Sequence, residues 1–116
     1  MRIHHLYTDA QGESHFKDIH EDFTGGGAKG KSSARIPVKH LIFRETPADQ
    51  DSDWHPCPQR QYLVNLDAGV QITASDGEKR HIGPGEVILL EDTTGKGHLS
   101  KQLEGKIRHS LFITLE

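Results

Sequence analysis

Apolar and polar residues alternate with a period of two along most of the chain, the spacing that puts successive side chains on opposite faces of a β-strand. The last segment, residues 106–116, is the plainest case. Ile107, His109, Leu111, Ile113 and Leu115 fall on one face, Arg108, Ser110, Phe112 and Thr114 on the other, so the first set is expected to face inward. Residues 2–7, 34–43, 61–66, 69–74, 79–82 and 87–90 read as further strands, with Pro37 near the start of its segment, where an edge or a bulge tolerates it. Ser75 to Glu78 supplies a hairpin turn, with Asp76-Gly77 giving positive φ. Gly83 to Glu86 is a second turn, and residues 45–53 and 92–97 are loops. No window of ten or more residues carries helical spacing with caps. Short strands at close intervals predict an all-β sandwich or barrel.

A helix-free reading bears on the one nucleotide-binding motif in the chain. Gly25, four residues, then Gly30-Lys31-Ser32 fits the phosphate-loop pattern G-x-x-x-x-G-K-[ST], and the run Val87 to Asp92 could pass for the strand and acid that hold magnesium. Such a loop grips phosphates because it ends a buried strand and opens a helix, whose first amides point at the anion. Here β-pattern residues and Pro37 follow, so no helix is expected after Ser32 and no nucleotide at residues 25–32; Gly25-Gly26-Gly27 reads as a mobile linker.

Composition narrows the class. At 116 residues the chain is expected to be one domain, and its 33% apolar content suits a thin core in which most strands are wet on one face. A net charge of −3 gives no footprint for nucleic acid; the basic positions Lys29, Lys31, Arg35 and Lys39 read as a solvated flank. A single cysteine, Cys57, excludes an intrachain disulfide and favours a reducing, cytoplasmic setting. The longest apolar run is Val87 to Leu90, too short to span a membrane.

The informative stretch is residues 53–98, DWHPCPQRQYLVNLDAGVQITASDGEKRHIGPGEVILLEDTTGKGH. It resembles the cupin superfamily of jelly-roll barrels, whose first motif reads roughly G-x5-H-x-H-x3–4-E-x6-G and whose second reads G-x5-P-x-G-x2-H-x3-N. His55 takes the first-histidine position, Cys57 stands where the second histidine is expected, and Gln61 stands in place of the glutamate. Ala68 replaces the closing glycine, and His98 matches the histidine of the second motif across a turn two residues longer.

The resemblance implies a single jelly-roll β-barrel, a likeness to small cupins that pair as homodimers, and one divalent transition metal (zinc, iron, copper, nickel or manganese) held by His55, His98, Gln61 and Cys57. Residues 2–7, read as an exposed edge strand that needs cover, fit the pairing. On a strand, Cys57, Gln59 and Gln61 would all look into the barrel, with His55 at its mouth. Two readings stay open for each ligand. His55 and His98 either bind metal or line a metal-free pocket, Gln61 either ligates or only hydrogen-bonds, and Cys57 is either a thiolate ligand or a small buried hydrophobe.

His109 on the presumptive inner face is either a satisfied core residue or a proton donor, and His40 has the same ambiguity. Trp54 is expected at the rim, where its indole could stack on a ligand. His4, His5, His15, His20 and His81 read as surface positions. Ser14-His15 and His109-Ser110 cannot be nucleophile–base pairs, because neighbours on a strand point to opposite faces. Two functions follow as expectations: a metal-dependent isomerase, lyase or dioxygenase acting on a small polar molecule, or a non-catalytic, metal-free cupin that binds or senses one.

Overall fold

A computed structural model describes all 116 residues and contains strands and no helix. The strands are β1 (Arg2–Thr8), β2 (Ser14–His20), β3 (Gly25–Gly27), β4 (Gly30–Ser32), β5 (His40–Thr46), β6 (Asp51–His55), β7 (Gln61–Asn65), β8 (Val70–Ala74), β9 (Lys79–Ile82), β10 (Val87–Glu91), β11 (His98–Lys101) and β12 (Arg108–Thr114). Six form one sheet in the order β2-β1-β10-β7-β12-β5, four form a second in the order β6-β11-β8-β9, and β3 pairs only with β4.

The two large sheets share one apolar core. Leu6, Leu63, Ile88 and Leu90 from the six-stranded sheet meet Val70, Ile72, Ala74 and Ile82 from the four-stranded one. Alternation explains it: β7 and β8 both run buried, half-buried, buried, half-buried, buried. Backbone ladders do not run from one sheet into the other, so the sheet is not a closed barrel. Side chains stitch one margin instead. The Ser14 amide donates to Ser75 Oγ at 2.7 Å, the Ser75 amide donates to Ser14 Oγ at 2.7 Å, and that hydroxyl donates to the Gly97 carbonyl at 2.7 Å.

Several expectations are corrected. On β12 the inward face is the polar one: Arg108, Ser110 and Thr114 are buried, and His109 points outward. The reason is pairing, since Arg108 donates to Asn65 Oδ1 and Gln102 Oε1, and a hydrogen-bonded guanidinium can occupy a position that an alternation count gives to an aliphatic side chain. The N-terminal strand is no edge, because β1 lies between β2 and β10 and pairs parallel with the latter. His4 and His5, read as surface, are buried: His4 bonds Glu86, Arg2 and Arg80, and His5 bonds Glu91.

The strand drawn over residues 34–43 begins only at His40 and runs on to Thr46, and the acidic loop gives up its end to β6. Gly77 alone turns the β8–β9 hairpin through positive φ, at 97°, with no non-glycine residue in that region. The phosphate-loop look-alike is a two-stranded arm, β3 and β4, exposed throughout, and no helix follows it. No helix in the molecule is long and apolar enough to cross a membrane.

Candidate functional site

A cavity of about 390 Å³ lies between the two sheets. Its apolar floor is Leu63, Leu90, Val70, Ile72 and Phe112, and its polar lining divides along the strands into two ends.

One end holds the two histidines. Strands β6 and β11 run antiparallel with His55 and His98 as register partners, and the ring centroids are 4.7 Å apart at 52°. Gly97 makes that approach possible. Its φ is 74°, and a Cβ there would stand 2.1 Å from the His55 carbonyl oxygen, so any side chain would push the two strands apart. Each ring has one nitrogen committed. His98 Nδ1 donates to Asp92 Oδ2 at 2.5 Å, and His55 Nδ1 donates to the Asp53 carbonyl at 2.8 Å. A backbone carbonyl has no proton to give, so His55 Nδ1 carries the hydrogen, and Nε2 is the unbonded nitrogen of each ring. His98 is buried and His55 sits exposed at the mouth.

Asp92 was missed in the sequence except as part of the accidental nucleotide motif. It is wholly buried, and its Oδ1 has no partner. An unsatisfied interior polar oxygen costs about 1–3 kcal/mol, and more where it carries charge. That cost is borne at the one place where the carboxyl group fixes the orientation of a cavity histidine.

Cys57, Gln59 and Gln61 all line the cavity, though not as one strand. Residues 56–60 are irregular, and β7 starts only at Gln61. The Cys57 amide is anchored on the Asp92 carbonyl at 3.0 Å. Its thiol donates to the Gln59 carbonyl at 3.0 Å and accepts from Gln61 Nε2 at 3.3 Å. Burial pushes the thiol pKa up to about 11, so it stays protonated at neutral pH. Gln59 Nε2 donates to the Leu115 carbonyl.

These donors fit a transition metal poorly. No group of three or more His, Cys, Asp or Glu side chains is placed to hold a metal ion. Two imidazole nitrogens and a neutral amide oxygen supply no charge to offset a divalent cation, and the Cys57 sulfur is engaged with the Gln59 carbonyl and Gln61 Nε2.

Trp54 and His109 lie outside the cavity lining. Trp54 is 45% exposed on β6. His109 is half exposed and bridges Asp67 and Glu45, with Asp67 first and Glu45 second in raising its pKa. His40 is exposed at the start of β5.

The other end of the cavity was not anticipated. It is made by Arg44, Thr46, Gln50, Ser52, Ser100 and Arg108. Arg108 and Thr46 are register partners on β12 and β5, and Ser52 and Ser100 on β6 and β11. Ser100 lies two residues beyond His98 on the same strand, about 7 Å along it. The signal was present in the polar residues of residues 106–116, and reading the apolar face as inner concealed it.

No family model matches the chain, and no curated protein matches it. Among solved structures, it is similar to a conserved protein of unknown function from Streptococcus pyogenes, with 17% identity over 72% of this chain and 70% of that one and a TM-score of 0.51. At that identity the likeness is one of fold alone.

Proposed function

We propose that the chain is a small jelly-roll protein of the cupin kind that binds a small polar molecule between its sheets without a metal, with His98 as a proton-handling group. The observation that carries this reading is the buried Asp92–His98 pair opening on a 390 Å³ cavity opposite His55. A cavity of that size suits a metabolite-sized ligand. Asp92 orients the imidazole, whose Nε2 can accept or give a proton at a bound hydroxyl or carbonyl. The face-to-face packing of a six-stranded and a four-stranded sheet supports the jelly-roll assignment. Pairing with a second copy is part of the proposal. It is supported by Leu41 and Phe43, 54% and 79% exposed on the edge strand β5.

A metal-dependent isomerase, lyase or dioxygenase is the second reading. It is favoured by the two imidazoles that meet at 4.7 Å with Nε2 free. Metal analysis of protein purified without chelator separates the two. The metal-free reading expects far less than one equivalent in the wild type and in the His55→Ala/His98→Ala variant. One equivalent in the wild type, lost in the variant, overturns it in favour of the second.

A further inference from the structure

The cavity carries two guanidinium cations and no carboxylate: Arg44 and Arg108 line it beside His55 and His98, and no aspartate or glutamate does. Arg108 is 5% exposed, and its two bonded nitrogens face neutral partners, Nε on Gln102 Oε1 at 2.5 Å and Nη1 on Asn65 Oδ1 at 2.7 Å. Nη2 has no protein partner. Arg44 stacks its guanidinium 5.1 Å from the Phe112 ring centroid on the cavity face and bonds no carboxylate. Burial first, and the Arg44 charge second, hold the Arg108 guanidinium below its usual range. Of the other arginines, Arg2, Arg60 and Arg80 each bind a glutamate or aspartate, and Arg35, which binds none, is exposed away from the cavity lining.

Two guanidinium groups left without a carboxylate around a shared cavity are a built counter-charge for something that is not part of the chain. In the same lining, Thr46 Oγ1 and Gln50 Oε1 are buried without hydrogen-bond partners, so a hydroxyl donor and an amide acceptor are also left unused by the chain.

We infer that the molecule bound in this cavity carries an oxyanion, a carboxylate or a phosphate, seated on Arg44, Arg108 and Thr46 at the end away from the histidines. The inference rests on the proposed small-molecule reading and names the ligand class for the same site. The anion fixes the orientation of the ligand, the Gln50 oxygen accepts from a neighbouring hydroxyl, and the remainder extends over Phe112 and Leu63 towards His98.

The test uses the full chain with 15N-labelled arginine and histidine side chains, titrated with malonate, inorganic phosphate and the neutral polyol erythritol, against sodium chloride at matched ionic strength. Malonate or phosphate is expected to shift Arg44 and Arg108 saturably beyond the salt control. The exposed Arg44→Gln should weaken that binding about tenfold or more, and Lys31→Ala on the arm should leave it unchanged. Arg108→Gln risks the fold, so the decision rests on Arg44→Gln together with the wild-type Arg108 signal. Binding of erythritol alone overturns the anionic class and leaves the cavity reading standing. Anion binding indifferent to Arg44→Gln, or mapped to Lys29 and Lys31, marks an adventitious ion only and overturns the inference. Cavity signals unmoved by every probe overturn the inference and the cavity reading together.

Discussion

The arm at residues 25–32 and the cavity between the sheets each carry a functional signature, and they differ in what surrounds it. The arm spells a complete phosphate-loop motif, yet Lys31 and Ser32 are exposed on a two-stranded ribbon with no helix N-terminus to complete an anion site. The cavity spells half of a motif, with Cys57 and Gln61 in place of the expected ligands, yet it holds buried polar groups with unmet valence. Hydrogen bonding and charge cost little to leave unused in water and much to leave unused in an interior. An unmet polar group is therefore informative in the cavity and silent on the arm.

The largest expected contrast is in stability. Ile88→Ala, at a fully buried position in the shared core, should cost about 2–5 kcal/mol in denaturant unfolding, whereas Lys31→Ala should change it by less than about 0.5 kcal/mol. Equal effects would mean that the arm is packed in solution.

Next is Gly97. Gly97→Ala forces a side chain into the His55 backbone from a left-handed φ, so it should destabilise by more than about 1 kcal/mol and separate the His55 and His98 rings. A cross-ring nuclear Overhauser effect, present in wild type and unchanged in the variant, would contradict this. Gly27→Ala on the arm, where no atom lies within 4 Å of the added Cβ, is the neutral control.

A third contrast concerns Cys57. With its thiol pKa raised to about 11, alkylation of the native protein at pH 8 should run at least about tenfold slower than in denaturant, where the ordinary value of 9.0 applies. The sign for stability follows. The unfolded chain ionises first, so folding loses stability as pH rises through 9, and Cys57→Ser should flatten that part of the profile.

The smallest effect belongs to the surface. His15 is held between Asp9 and Asp76, and its pKa is raised by the Asp9 bond first and the Asp76 bond second. Its contribution to stability is therefore fully present below pH 6.5 and is lost as pH rises through the elevated value. An NMR titration should place His15 above 6.5, and Asp9→Asn and Asp76→Asn should each lower it.

Local pattern determined a good deal of this. The all-β class, the β8–β9 hairpin, the absence of a helix after Ser32 and the apolar register of β7 and β8 follow from two-residue alternation and turn chemistry, which act between neighbours in the chain. The pairing of His55 with His98 was legible as an expectation because a motif spacing carried it. The inner face of β12 was not, because only Asn65 and Gln102, 43 and 6 residues away from Arg108, make a buried guanidinium tolerable. The burial of His4 and His5 and the cationic end of the cavity were decided in the same way, by partners that the fold brings from distant strands, and Asp92 reaches His98 only because the loop between β10 and β11 folds back between the sheets. Alternation reports which residues share a face, whereas which face is inside depends on the total hydrogen bonding and burial that the assembled sheets supply.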